Sequence, residues 1–500
     1  MLNKIRKQIL PMLDTLGDAL GQYLDMPTEE MLGEVSSFID VITETLVEES
    51  KDATTLSEKL KLALLKPVHD SVESAYTEFC EMVSSIPVQY KVVFLPYYDN
   101  TWDSLKSVYE AFAADPMFVT EIVIIPIRRN TLTGSKHVYN DYLTPQGIPN
   151  THYDKYDFAI DQPDVVFYNQ PYDGVNYPKF QSHNIKPHAG LMVYIPYFLY
   201  RHRRLDVEKQ KNLLLNLPGH NNADVIVAQG DSYCKINKYS KNRNKFVVLG
   251  SPKCDSIYWQ KDSYPRYPEW DEVTAGKTVF LLNTHYSAVI SGSFQTFMGT
   301  VLEIFENNED LALIWRPHPQ SFMMQSESDQ KEISKEFQDS LNHVVSHPRM
   351  IVDRTSSNVS ALMYCDAVLT EDSSLIVESI YADKPVFLLS NNPDELLPEG
   401  MKYVDSLKHL ASARKYDAKN LFFYSVVDYY GYDESMPLEI MTDACFGQLP
   451  LLRFIEEIRS GVDRKKHLRG LFREQSFANT DGTCGRSVHD YVANLLNEYN

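Results

Sequence analysis

The chain of 500 residues is 43% hydrophobic, 12% aromatic and 23% charged, an ordinary globular composition that excludes general disorder and a length that suggests two or three domains. Its 48 Lys and Arg against 68 Asp and Glu leave a formal net charge of −20, so no global basic field exists to hold a nucleic-acid backbone or an anionic membrane. Six scattered cysteines (Cys80, Cys234, Cys254, Cys365, Cys445 and Cys484) include no Cys-x-x-Cys pair and no disulfide framework, and read as reduced thiols of a cytoplasmic protein.

At the N-terminus Lys4, Arg6 and Lys7 precede apolar residues, but Asp14 and Asp18 interrupt any signal-peptide h-region. Ile5, Ile9, Leu13, Leu16, Leu20 and Leu24 then follow steps of three and four, one face of a helix. Further stripes run through Leu32, Val35, Phe38, Ile39, Ile42 and Leu46, through Leu56, Leu60 and Leu64, and through Val68, Val72, Tyr76 and Phe79. Residues 1–88 are therefore expected to form an all-helical region that packs on itself or on a second copy, a route to a homo-oligomer, with no chemistry of its own.

The texture changes at Tyr90, where Lys91-Val-Val-Phe-Leu-Pro96 is a short apolar run suited to a strand buried on both faces. Runs at 121–126, 164–168, 191–195, 224–227 and 246–249 continue the rhythm, and predict a doubly wound α/β domain over 89–265 with sites at the carboxyl ends of its strands. The longest apolar run, Leu191 to Tyr200, is about half of what a membrane-spanning helix requires, so a soluble protein is expected. Between Asp255 and Lys277 the chain is rich in Tyr, Pro and charge and reads as a linker. A second α/β unit over 266–402 would place strands at 278–282, 311–315, 350–352, 367–370 and 385–389. Two such domains leave a cleft between facing strand ends. The tail over 403–500 is mixed, packs on the two domains and ends in an amphipathic helix carrying Val488, Tyr491, Val492 and Leu495.

Two segments carry chemistry. Trp315-Arg-Pro-His-Pro319 follows an apolar strand, so Arg316 and His318 would project into the cleft, where an Arg fork and an imidazole suit a diphosphate; the plain alternative is a structural turn. Thr370-Glu-Asp-Ser-Ser374 leads from a strand into Leu375-Ile-Val-Glu-Ser-Ile-Tyr381. Ser373 and Ser374 can cap that helix and offer hydroxyls to phosphate, and Glu378 can accept from ribose hydroxyls; the alternative is an ordinary N-cap. No Walker loop, His-Glu-x-x-His site or Gly-x-Ser-x-Gly elbow occurs, and Asp353 and Asp366 form no Asp-x-Asp pair, so neither a protein-bound metal nor a cofactor is expected.

Arg316-Pro-His-Pro319, Asp366-Ala-Val-Leu-Thr-Glu-Asp-Ser-Ser-Leu-Ile-Val-Glu378 and Lys384-Pro385 together resemble the C-terminal half of the CDP-glycerol glycerophosphotransferases, the teichoic acid polymerase family. Gly250-Ser-Pro-Lys-Cys-Asp255 and Asp481-Gly-Thr-Cys-Gly-Arg486 resemble two further motifs of that family, so the likeness spans roughly residues 220 to 495. It implies a GT-B-like α/β architecture, two Rossmann-like doubly wound domains facing across a cleft, with Arg316, His318, Ser373 and Ser374 at the donor diphosphate and Glu378 near the ribose. The chain departs from the family in lacking its Trp-His-Gly turn, whose catalytic His would fall to His188 or else His183, with His318 as a further catalytic candidate. Asp372 stands where the family has Tyr, and His285 lies in a strand-end loop where members carry Thr-x-Arg.

The implied activity is transfer of a polyol phosphate, glycerol phosphate first, from a CDP-activated donor to an acceptor hydroxyl of a glycan or lipid-linked carrier in cell-surface polymer synthesis. One alternative is a nucleotide-sugar glycosyltransferase or a UDP-sugar 2-epimerase-like GT-B enzyme. Another is a non-catalytic binding or assembly protein. A cytoplasmic location is expected, with at most peripheral contact at the inner face of the membrane through Lys4, Arg6 and Lys7.

Overall fold

The computed structural model describes residues 1–97, 99–131, 134–138, 147–200, 216–236, 240–285, 293–318, 321–322, 331–371, 373–389, 422–424 and 449–498. Helical spacing at the start of the chain becomes four helices: α1 (Asn3–Asp25), α2 (Glu29–Leu46), α3 (Ala53–Leu64) and α4 (His69–Ser85). Thr28 caps α2 by accepting from the Met31 N–H at 3.2 Å, the role expected of Thr before an acidic first turn. The stripes converge on a core in which Ile9, Leu16, Ile39, Leu60 and Phe79 are wholly buried, so the bundle packs on itself. Asn3 joins it to the neighbouring sheet by donating to Asp164 Oδ1 at 2.7 Å.

The first sheet holds β1 (Tyr90–Leu95), β2 (Phe118–Ile124), β5 (Thr151–His152), β6 (Val165–Tyr168), β7 (Leu191–Tyr194), β8 (Val225–Ala228) and β9 (Phe246–Val248). Its order is β5-β2-β1-β6-β7-β8-β9, parallel throughout, and a hairpin of β3 (Ile127–Thr131) with β4 (Gly134–Val138) stands apart. The second sheet holds β10 (Thr278–Thr284), β11 (Leu311–Pro317), β12 (Met350–Val352), β13 (Ala367–Thr370), β14 (Val386–Leu389) and β15 (Phe422–Tyr424) in the order β12-β11-β10-β13-β14-β15. Among the described strands of this sheet, β15 alone runs antiparallel. Each sheet starts in its middle and winds outward both ways, the doubly wound Rossmann-like arrangement. Three aspartates immediately before strands share one task. Asp164 accepts from Lys91 N at 2.9 Å, Asp224 from Met192 N at 2.8 Å and Asp366 from Val279 N at 2.8 Å, so each satisfies a backbone donor at the start of the adjacent strand.

The stretch from Asp255 to Lys277 is not a free linker. It is largely helical, with helix α6 (Pro252–Gln260) and a second helix at Pro268–Thr274, and Trp270 is buried against Tyr364. Of the two prolines that suggested a break, Pro265 lies between the helices and Pro268 sits at the first position of the second, where a missing N–H costs nothing. The tail returns to both sheets. Leu451, Phe454 and Ile455 join the second sheet's core, whereas Val488, Val492 and Leu496 of the last helix, α8 (Cys484–Glu498), enter that of the first. There α8 lies on α5 (Lys106–Ala113), with the His489 ring edge-on to Phe112 at 4.8 Å between centroids. Gly485 makes this approach possible: a Cβ there would sit 2.4 Å from the Ser107 backbone carbon.

Buried Asp255 fixes the start of α8 by accepting from Cys484 N at 3.1 Å and Gly485 N at 2.8 Å. Replacement by Ala leaves two buried N–H groups unpaired. Asp255→Ala is therefore expected to lower the unfolding free energy by about 1–3 kcal/mol for each orphaned donor, read from urea denaturation of the full chain.

Candidate functional site

The carboxyl ends of the two sheets face each other. Asp103, in the turn Asp99–Ser104 after β1, accepts from the Ser357 hydroxyl beyond β12 at 2.7 Å. Lys253 of α6 reaches the Tyr197 carbonyl beyond β7 at 3.4 Å and the Glu378 carboxylate of helix α7 (Leu375–Tyr381) at 2.7 Å.

On the second domain's side, parallel register sets Asn283 of β10 opposite Arg316 of β11 on one side and Thr370 of β13 on the other. The Asn283 amide donates to the Arg316 carbonyl at 3.0 Å, and its oxygen accepts from Ser373 Oγ at 2.9 Å and Thr370 Oγ1 at 3.2 Å. One neutral side chain thus ties together the two segments singled out in the sequence. The residues after β10 and β11 are also neighbours, with the His285 and His318 rings edge-to-face at 5.1 Å. His318 N donates to the Thr284 carbonyl at 2.9 Å, and His285 N donates to the Glu371 carboxylate at 2.7 Å. Burial, with His285 and Arg316 adding like charge, pushes the His318 pKa down to about 4, so its imidazole is neutral at pH 7.

Several predicted residues are committed elsewhere. Arg316 does not project freely: it is buried, with Nη1 2.6 Å from Asp353 Oδ2 and 3.2 Å from Thr355 Oγ1. Burying its charge demands a buried counter-charge, and Asp353 supplies it. Glu378 is only 1% exposed; it binds Lys253 and the Asn358 amide, which leaves its carboxylate turned to the other domain rather than open to a ribose. Ser373 spends its hydroxyl on Asn283, while Ser374, the residue before α7, caps no N–H with its side chain. Pro319 and Asp372, also part of the predicted motifs, lie outside the described residues.

His183 and His188 are not brought to the cleft. They lie on the segment descending to β7, where Gly190 N bonds the Pro163 carbonyl and Leu191 N the Asp164 carbonyl, at the amino-terminal edge of the sheet. His183 is exposed, with Nδ1 3.5 Å from Asp173. A residue just before a parallel strand sits at the edge opposite the carboxyl ends, so sequence position alone already argued against His188.

Sequence reasoning missed Asn283, Lys253 and Arg354. Asn283 was recoverable by aligning the ends of neighbouring strands, but the pairing of Lys253 with Glu378 across 125 residues left no local trace. Exposed Arg354 follows Asp353 and stacks its guanidinium 4.9 Å from the Phe322 ring centroid, beside the turn that carries His318. Among the described residues, the cluster spaced to share a metal ion is His69, Asp70 and Glu73, on the exposed first turn of α4 rather than in the cleft. No described helix is long and apolar enough to cross a membrane.

No protein-family model and no curated protein sequence matches the chain. Among solved structures, the chain is similar to the S. aureus MnaA–UDP co-structure, with a TM-score of 0.49 and 12% identity over 82% of this chain and 97% of that one. It is similar to the Neisseria meningitidis UDP-GlcNAc 2-epimerase bound to UDP-GlcNAc, with a TM-score of 0.48 and 10% identity over 81% of this chain and 100% of that one. A structure of the wall teichoic acid polymerase TagF with CDPG matches with a TM-score of 0.48 and 12% identity, over 91% of this chain and 98% of that one.

Breaking the buried Lys253–Glu378 pair from one side should cost about 3–5 kcal/mol, and Lys253→Met combined with Glu378→Leu should cost clearly less than the sum of the single changes, as denaturant melts would show. A pH dependence also follows. In the first domain His220 is buried against Tyr194, its Nδ1 without a hydrogen-bond partner, and burial pushes its pKa down to about 4. His220 and His318 are each neutral when folded and take up a proton near pH 6.5 when unfolded. Stability should therefore be fully present above about pH 6.5 and fall as pH drops towards 4, by about 3 kcal/mol for each imidazole. His220→Phe should flatten that slope in melts taken across the same range.

Proposed function

We propose that the chain transfers a polyol phosphate, glycerol phosphate first, from a CDP-activated donor to an acceptor hydroxyl, working from the cytoplasmic side on a glycan or lipid-linked carrier in cell-surface polymer synthesis. The observation that carries the reading is the Asn283 junction, which holds the Arg316-Pro-His318 turn and the Ser373-Ser374 turn side by side at the carboxyl ends of β11 and β13. Their resemblance to glycerophosphotransferase motifs gives the donor class.

In this reading the acceptor oxygen attacks the β-phosphorus, a new P–O bond forms, and the bond to CMP breaks with its electron pair leaving on the CMP oxygen. Such transfers depend mainly on positioning and on groups aimed in advance at the developing charge. The Ser374 hydroxyl, the His318 imidazole and Arg354 would meet the diphosphate. Arg316, held by Asp353, acts as a positioning residue that fixes the turn, and Glu378 with Lys253 sets the spacing of the two domains. The base that accepts the hydroxyl proton has no assigned residue here, because His183 and His188 lie at the far edge of the first sheet. That placement is the one observation favouring a second reading, a protein that binds a nucleotide-activated donor without turnover.

The test measures CMP release from CDP-glycerol, with CDP-ribitol and UDP-N-acetylglucosamine in parallel. CMP from a CDP-polyol is expected, with a loss of about 100-fold or more in His318→Ala and in Arg316→Ala while the melting temperature shows both folded. Full activity in the double variant would overturn the reading, and binding without release would favour the second one.

A further inference from the structure

We propose that His285 and His318 form a proton-accepting anion clamp, so that a diphosphate diester binds this cleft together with a proton. The proposal rests on reading the cleft as a donor-phosphate site and adds how its affinity is governed. Parallel register pairs Thr284 with Pro317, and the next residue of each strand is a histidine, so backbone pairing itself sets the two imidazoles side by side.

The charges around them are largely spoken for. Arg316, two residues before His318, is compensated by Asp353, and Lys253 by Glu378. The Glu371 carboxylate, at the end of β13, accepts the His285 N–H and adds negative charge beside the pair. Exposed Arg354 stacks on Phe322, beside the turn that carries His318. A ligand bearing two phosphate charges therefore enters surroundings whose permanent cations are mostly matched already. Imidazoles are the groups that can answer by becoming charged.

Energetics favour that answer. Burial and the like charges of His285 and Arg316 hold His318 neutral. An anion placed against the ring reverses the balance, since an opposite charge within about 4–6 Å raises a pKa by about 1–3 units. Binding then draws in a proton between about pH 5 and 7, and by linkage affinity falls as pH rises.

Isothermal titration of the full chain with CDP-glycerol and with UDP-N-acetylglucosamine tests this, because neither diphosphate diester itself titrates between pH 5 and 8. Measurements at pH 6 in two buffers of different ionisation enthalpy count the protons. Uptake of about half a proton or more per ligand is expected, with affinity about two- to tenfold weaker at pH 8 than at pH 6. His318→Gln should at least halve the uptake, and His285→Gln should reduce it too, in proteins that melt like the parent. Zero uptake, undiminished uptake in both variants, or no binding of either ligand at pH 6 overturns the clamp. Proton-coupled binding without CMP release from CDP-glycerol leaves the clamp standing and removes the transferase reading.

Discussion

The buried ion pair between Lys253 and Glu378 is the constraint on which the cleft depends. Both groups are nearly removed from water, at 11% and 1% side-chain exposure, so desolvation offsets much of their attraction. What the pair secures is geometry: one end belongs to α6 after the first sheet, the other to α7 in the second. The surrounding segment compounds the effect. Gly250, at φ +81°, turns the chain where a Cβ would meet the Ala478 carbonyl oxygen at 2.6 Å, and Asp255, two residues past Lys253, anchors α8. Six consecutive residues thus set how the first domain, the second domain and the returning tail meet.

Within that frame the floor of the second domain is aligned by hydrogen bonds rather than by charge. Asn283 serves because an amide both donates and accepts, which lets it hold a backbone carbonyl on one flank and two hydroxyls on the other. A charged side chain there would impose a sign on the floor and strand half of those partners. Arg316 and Asp353 follow the same economy, since their charges cancel while their hydrogen bonds fix the turn after β12 through Thr355.

Much of the fold was legible because burial on both faces writes parallel strands as continuous apolar runs, and because helical stripes persist over four helices. The aspartates before β6, β8 and β13 were visible too, although their role as acceptors for the next strand's N–H emerges only from pairing order. The stretch from Asp255 to Lys277 misled because proline marks both a break and a helix start, and the burial of Trp270 that decides between them is tertiary. In the site, residue types and strand ends were legible, but partners were not. Nothing near Arg316 in the sequence announces Asp353, 37 residues on, and Glu378 reads as an acceptor for ribose hydroxyls until Lys253 is folded against it.

The proposal that an acidic chain holds an anion is no contradiction once distances are weighed. The net charge of −20 acts through a field that physiological salt screens within about 8 Å, so remote carboxylates oppose the approach of a phosphate only weakly. Affinity is decided by what lies within the last few ångströms, and there the buried cations Arg316 and Lys253 are already balanced by Asp353 and Glu378. Hydroxyls and neutral imidazoles sit side by side at little electrostatic cost, whereas a row of unpaired lysines would repel itself. On the clamp proposed above, a floor built from such groups acquires its charge together with the ligand.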